Sequence, residues 1–243
     1  RGVWFQGAYP IRSGWEGRVE AELAARQMGA HRLMMAGVRF LAPDQCCIGP
    51  RVQVGAGTVV LPGTILRGET VIGRNCEIGP NTMIRDCTVG DNVTVNASQL
   101  NESRVDDGVK IGPFAYIRPN CHVGENVKVG DFVELKNSTI GAGTKISHLT
   151  YVGDSDVGER VNFGCGTVTV NYDGFTKFRT TIGDDAFIGC NTNLVAPVKV
   201  GDGAYTAAGS TITDDVPGDS LAIARTRQTV KKQWAAKRRA RRK

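Results

Sequence analysis

Branched aliphatic residues recur every six positions along the chain. Ile48, Val54, Val60, Leu66, Ile72, Ile78 and Ile84 form an unbroken series, with glycine following several of them, as in Ile48-Gly49, Val54-Gly55, Ile72-Gly73 and Ile78-Gly79. The register slips by one to Val89 and Val95 and resumes at Val105, Ile111, Ile117, Val123 and Val129. It runs again through Ile140, Ile146 and Val152, slips to Val157 and Phe163, and returns at Ile182, Ile188, Leu194 and Val200. A period of six fits neither the 3.6 of an α-helix nor the 2 of an amphipathic strand. It is the period of a parallel β-helix: each hexad supplies one short strand and one corner, the aliphatic points inward, and the small residue after it lets the chain turn. Stacked coils then satisfy one another's backbone groups.

The flanks read differently. Val19, Leu23, Met34 and Val38 give a loosely amphipathic helix from about Gly17 to Met35, preceded by turn signals at Tyr9-Pro10 and Ser13-Gly14. Asp214-Asp215-Val216-Pro217-Gly218 reads as the turn that ends the coil. The predicted organisation is mainly β: a turn region and linker helix over 1–40, a hexapeptide-repeat coil over 41–228, and a basic tail over 229–243.

Composition agrees with a repetitive fold. Glycine takes 31 of 243 positions and aromatics only 7%, a balance that favours many tight turns over a bulky core. The net charge of +6 belongs to the tail: Lys231 to Lys243 holds eight basic groups and no acid, and the remainder carries 22 basic against 24 acidic residues. Such a terminal charge run reads as a solvated end, with Trp234 its sole aromatic, so neither nucleic acid nor a membrane is expected as a partner. The seven cysteines, at 46, 47, 76, 87, 121, 165 and 190, are odd in number and contain no CxxC. They read as reduced thiols of a cytoplasmic protein. There is neither a long apolar run nor a signal-peptide core. The chain opens at Arg1, so it reads as a fragment of something longer.

Two breaks in the repeat are long: DFVELKNST between Val129 and Ile140, and GCGTVTVNYDGFTKFRTT between Phe163 and Ile182. Insertions in a solenoid are expected to project as loops, where function concentrates. Around them stand Arg118, Glu134, Lys136, His148, Tyr151, Asn162, Asn171, Tyr172 and Lys177. His148 falls two positions after the inward Ile146 and should face outward. Glu134, two hexads and two further positions earlier, is close to one coil away and could orient the imidazole, giving a base with its orienter. Arg118, Lys136 and Lys177 are more cations than a neutral substrate needs, which points to a phosphorylated one. A zinc hydratase would need three histidines in the coil, which holds only His122 and His148, since His31 falls in the predicted helix.

The repeat pattern resembles the hexapeptide-repeat acyltransferases. That resemblance implies a left-handed coil of three short sheets and a homotrimer with active sites shared between subunits; the general crossover rule alone would give the opposite hand. The stretches IGPFAYIRP (111–119), VGDFVELKNS (129–138), SHLTYVGD (147–154), NFGCGTVTVNYDGFTKFRTTIGDDAFIG (162–189) and LVAPVKVGDGAYTAAGSTIT (194–213) are more specific. From about Met35 to Gln228 they resemble the C-terminal acetyltransferase domain of the bifunctional GlmU family, which makes N-acetylglucosamine 1-phosphate for UDP-N-acetylglucosamine and the cell envelope. The resemblance implies acetyl-CoA as co-substrate and glucosamine 1-phosphate as acceptor. His148 would be the general base and Glu134 its partner. Arg118, Lys136 and Lys177 would hold the phosphate, with Tyr151 and Asn162 contacting phosphate and sugar. Asn171 and Tyr172 would lie near the acetyl group, Cys165, Cys190 and Ala208 would line the cofactor path, and Arg225 would reach its phosphates.

N–H donors of the NYDG loop could stabilise the developing oxyanion. Cys165 and Cys190 stand where the family more usually has alanine and serine, which opens a covalent alternative in which a thiol is acylated first. No Gly-rich nucleotide-binding loop resembling the family's uridylyltransferase half is present, so magnesium, which serves that half, is not expected. The alternative reading is a hexapeptide acyltransferase with a different amino-sugar acceptor.

Overall fold

The computed structural model describes residues 14–241; the turn signals at Tyr9-Pro10 and Ser13 lie outside them. From Arg39 to Ala222 the chain winds through short strands that collect into three parallel sheets of eleven, ten and nine strands, each sheet taking every third strand until the last, Leu221–Ala222. It is a left-handed parallel β-helix of hexapeptide repeats. Val60 pairs with Ile78, three hexads on, while Val95 with Ile111 and Val129 with Ile146 step slightly less, so a coil is three hexads or a little short of that.

The inward aliphatics stack in columns, and Val60, Ile78, Val95, Val129 and Ile146 have no exposed surface. The six-residue pattern has a second buried member, two positions earlier and small: Thr58, Thr64, Thr70, Cys76, Thr82 and Cys87 precede the inward Val60, Leu66, Ile72, Ile78, Ile84 and Val89. A large side chain would not fit there. A hydroxyl serves because it finds partners in the next coil: Thr58 Oγ1 donates to the Gly73 carbonyl (2.9 Å) and accepts from the Cys76 N–H (3.0 Å). Four of the seven cysteines, Cys46, Cys76, Cys87 and Cys121, occupy this inner position. Burial pushes their thiols up, Cys87 to about 11.

The first long break in the repeat is not a loop. Glu134–Lys136 is a strand of the second sheet, and its Leu135 is fully buried, one hexad after Val129 and just short of a hexad before Ile140. In the second break Thr169, one hexad after Phe163, is likewise buried in the strand Val168–Val170, so the projecting part shrinks to 171–179. The turn at Asp214–Gly218 does not end the coil either. Val216 bridges to Val200, and Leu221–Ala222 pairs with Tyr205–Thr206 beyond it.

Helix α1, Trp15–Met35, covers the start of the coil, but by a face other than the expected one. Gly29, Ala30 and Leu33 are buried, whereas Val19, Leu23 and Met34 stay exposed. Close approach explains the choice, since a Cβ on Gly29 would stand 2.8 Å from the Ile48 carbonyl oxygen. Arg32 Nη2 donates to the Val52 carbonyl at 2.9 Å and fixes the helix to that coil. In the tail, α2 (Trp234–Ala240) has no buried residue. No helix among the described residues is long and apolar enough to cross a membrane.

Truncating Leu135 to alanine should cost roughly 2–5 kcal/mol of unfolding free energy, the range for an emptied aliphatic site. Chemical denaturation measures it, and a midpoint unchanged from the parent would put Leu135 in a projecting loop instead.

Candidate active site

The corner that follows the first sheet carries one group of the predicted residues. Strands Lys128–Asp131 and Lys145–His148 are longer than most of the coil's strands, and their register sets Asp131 beside His148. His148 Nδ1 lies 2.5 Å from Asp131 Oδ1, with the ring 57% exposed. The hydrogen bond to His148 holds the Asp131 carboxyl below the usual carboxylate range. An ionised Asp131 accepts from Nδ1–H, which leaves Nε2 as the free base of the ring.

Glu134, expected as the orienter of His148, is not its neighbour. It accepts from Arg118 Nη1 at 2.8 Å, and its ladder partner is Tyr151. The reason is the coil length: one full coil back from His148 the ladder reaches Asp131, which lies before Glu134 in the chain.

Above His148 the same corner continues coil by coil. The Gly166 N–H donates to the Leu149 carbonyl (3.1 Å), Asn191 N–H to Cys165 (2.8 Å) and Gly209 N–H to Cys190 (2.8 Å). The last two bonds stack Cys165, Cys190 and Ala208 one over another, and the ladder on either side, Ile146 with Phe163 and Tyr151 with Val168, continues that column down to His148 and Asp131. Gly209, with φ +73°, brings the next coil close: a Cβ there would stand 3.8 Å from Arg225 Cδ. Small side chains thus line this column, and the Arg225 side chain packs beside Gly209 at its upper end. Asn162 sits beside this column in the first sheet, between Lys145 and Phe187.

The second group lines the opposite edge of the second sheet. Asp154, 5% exposed, accepts from Lys136 Nζ (3.1 Å), Asn137 Nδ2 (2.6 Å) and Asn171 Nδ2 (2.5 Å). Burial works against its charge, yet these three donors prevail and hold the carboxyl below the usual range. Burial also opposes the Lys136 charge, but the hydrogen bond to Asp154 and the attraction of that carboxylate hold the ammonium up. Lys177 gives way: Lys136, pressed against it, pushes its pKa down, and Arg118 adds to the effect. Tyr151 accepts weakly from Asn171 Nδ2 (3.4 Å). Its ring occupies the space beside Gly153, where a Cβ would stand 2.6 Å from Cζ. Arg118, Glu134, Lys136, Tyr151, Asn171 and Lys177 therefore form one cluster, with His148 and the cysteine column across the strand.

The projecting loop is internally tied. Tyr172 and Lys177 form an antiparallel bridge, and Asp173 Oδ1 accepts from the N–H groups of Phe175 (2.8 Å) and Thr176 (2.7 Å). The Asp173 N–H itself donates to the Thr176 carbonyl (3.3 Å). With the Phe178 N–H on the Asn171 carbonyl (2.9 Å), four of the loop's N–H groups are committed internally, which narrows the choice of oxyanion donors. The Tyr172 hydroxyl donates to Gly174 (2.6 Å), leaving the ring exposed.

Relatives repeat this chain over most of its length. The Bifunctional protein GlmU of Exiguobacterium sp. is 53% identical over 212 residues, covering 87% of this chain and 47% of the relative. That of Clostridium acetobutylicum is 54% identical over 204 residues, 84% of this chain and 45% of the relative. The chain belongs to the GlmU family. It spans about half the length of the curated GlmU relatives it matches. Residues 179–214 match the family described as Bacterial transferase hexapeptide (six repeats), and residues 37–135 match the EIF2B subunit epsilon LbH domain. Among solved structures, the Francisella novicida UDP-N-acetylglucosamine acyltransferase is 17% identical with a TM-score of 0.45, over 74% of this chain and 65% of its own.

Within this GlmU-family site, sequence reasoning missed Asp131, Asn137 and Asp154. Asp131 and Asp154 stood in plain view inside VGDFVELKNS and SHLTYVGD, and counting by the true coil length would have paired Asp131 with His148 and Asp154 with Asn137. Replacing Asp154 with alanine leaves three donors without their acceptor and should destabilise the fold by roughly 3–5 kcal/mol at neutral pH. Because the folded pKa of Asp154 is depressed, its contribution is present above the unfolded value of about 4 and fades as pH falls through the lower folded value. Denaturation series at neutral and acid pH should show the difference between the parent and Asp154→Ala shrinking in acid; a constant difference would rule out the ionic contribution.

Proposed function

We propose that the chain transfers the acetyl group of acetyl-CoA to the amine of glucosamine 1-phosphate, as part of a homotrimer in the cytoplasm. The observation that carries this reading is the column on which His148, Cys165, Cys190 and Ala208 stand. It joins a base to a shelf of small side chains ending at Arg225. Membership of the GlmU family supports both the reaction and the substrates.

In this reading His148, held by Asp131, takes the proton from the acceptor amine through Nε2, leaving a nitrogen lone pair able to attack a carbonyl. Acetyl-CoA supplies the activated carbonyl and the thiolate leaving group. Cys165, Cys190 and Ala208 line the path of its pantetheine arm, and Arg225 faces its phosphates. Lys136 and Lys177, pressed together with Arg118 nearby and only Asp154 and Glu134 to offset them, hold the sugar phosphate. A dianion between two crowded ammonium groups relieves their repulsion, which favours phosphate over a neutral sugar. Tyr151, Asn162, Asn171 and Tyr172 orient the acceptor and the acetyl group. The direct route needs only residues already converged on the site, so the thiols need not be acylated. In the trimer a neighbouring subunit closes the shelf.

His148→Ala should lower acetyl transfer by roughly 10²- to 10⁴-fold while the assembly state stays the same. Lys136→Ala should act chiefly on the KM for the sugar phosphate. Both are read by following thiol release from acetyl-CoA with glucosamine 1-phosphate. Turnover with glucosamine 6-phosphate but not with the 1-phosphate would reject the acceptor, and near-parental turnover by His148→Ala would reject the base.

A further inference from the structure

The seven cysteines divide by position. Cys46, Cys76, Cys87 and Cys121 are buried at the small inner position of their hexads, and burial raises their pKa. Cys165 and Cys190 are placed otherwise: each follows its inward residue, Phe163 or Ile188, by two, at the corner. Cys165 is partly exposed and Cys190 exposed. Two independent bonds fix their relation. The Gly164 N–H donates to the Ile188 carbonyl at 2.7 Å, and the Asn191 N–H donates to the Cys165 carbonyl at 2.8 Å. In a parallel ladder that pattern sets 164 beside 189 and 165 beside 190, continuing the pairing of Asn162 with Phe187 and Phe163 with Ile188. Glycine before each cysteine brings the coils together: a Cβ on Gly164 would stand 2.8 Å from Cys190 Cα.

We propose that Cys165 and Cys190 are a redox-active dithiol that closes to a disulfide between successive coils, and that the closed form blocks the cofactor shelf. Parallel ladder neighbours lie about 4.8 Å apart, inside the range of about 4.4–6.8 Å between the Cα atoms of a disulfide. The oxidant class is a peroxide. The exposed Cys190 thiol gives up its proton, the thiolate attacks one peroxide oxygen, the O–O bond breaks, and the departing hydroxide takes up that proton, leaving a sulfenic acid and water. Cys165 sulfur then attacks Cys190 sulfur, the S–O bond breaks, and a second water leaves with the thiol proton. Two thiols have lost two electrons and one peroxide has gained them. The other thiols are spared by burial or, for Cys47, by having no such partner across the ladder: its pair is Ile65. The block on the shelf rests on the acetyl-transfer reading; the bond itself does not.

The test treats the reduced full chain with hydrogen peroxide, digests it without reductant and maps disulfides by mass spectrometry. The expected result is a cross-linked peptide pair joining Cys165 to Cys190, absent from Cys190→Ala and retained in Cys47→Ser. Acetyl transfer falls by roughly tenfold or more as the cross-link forms, returns with dithiothreitol, and is protected by prior acetyl-CoA. Singly oxidised thiols without the cross-link would overturn the dithiol, and a cross-linked protein with undiminished transfer would overturn the block. A cross-link in a chain whose reduced form transfers no acetyl group would sink the acetyl-transfer reading and leave the dithiol standing.

Discussion

The backbone ladder between successive coils is the constraint on which the rest depends. Strand N–H groups donate to the carbonyls of the next coil, from Arg39 N–H on the Thr58 carbonyl to Thr211 N–H on Ala224, and corner N–H groups such as that of Asn191 donate to the coil before. Because the strands are parallel and in register, any side-chain position becomes a column with nearly fixed spacing. The aliphatic columns exclude water, the small inner columns let corners close, and the outer columns decide the chemistry. A residue's function is therefore set by its place within the coil and by which residues share that place above and below.

The candidate site uses two such columns at the two edges of one sheet. On one edge, Asp131 below His148 fixes the ring and leaves its far nitrogen available. On the other, Asp154 is buried and bound by three donors, so it acts as an anchor for Lys136 and Asn171. Lys177 comes from the projecting loop and presses a second ammonium against Lys136. That arrangement is electrostatically uncomfortable in isolation. The sugar phosphate of the proposed reaction would satisfy it.

Much of this was legible in the sequence, because the strongest signals are local and periodic. The hexads disclose the coil, and the outward placement of His148 follows from Ile146. The cation cluster follows from the density of Arg118, Lys136 and Lys177 near one motif. What the sequence hid depends on coil length, a non-local quantity. The interval from Glu134 to His148 looks like one coil until the ladder shows that a coil here runs from Asp131 to His148, which hands the imidazole to the aspartate. The same oversight made 131–139 look like a loop, since Leu135 was not counted among the inward residues. The face of α1 was misjudged because small residues, not large ones, permit the closest packing on Ile48.

The coil that holds the projecting loop is longer than its neighbours, running from Phe163 all the way to Ile188 before the ladder closes. Yet Ser155 still pairs with Thr180 and Val168 with Asn193, so the strands stay in register around the excursion. Extra chain leaves and re-enters at one corner, and the scaffold on either side does not register its length. For the proposed acetyl transfer, exchanging that one segment would rewrite acceptor preference, while His148, Asp131 and the column above them inherit their alignment unchanged.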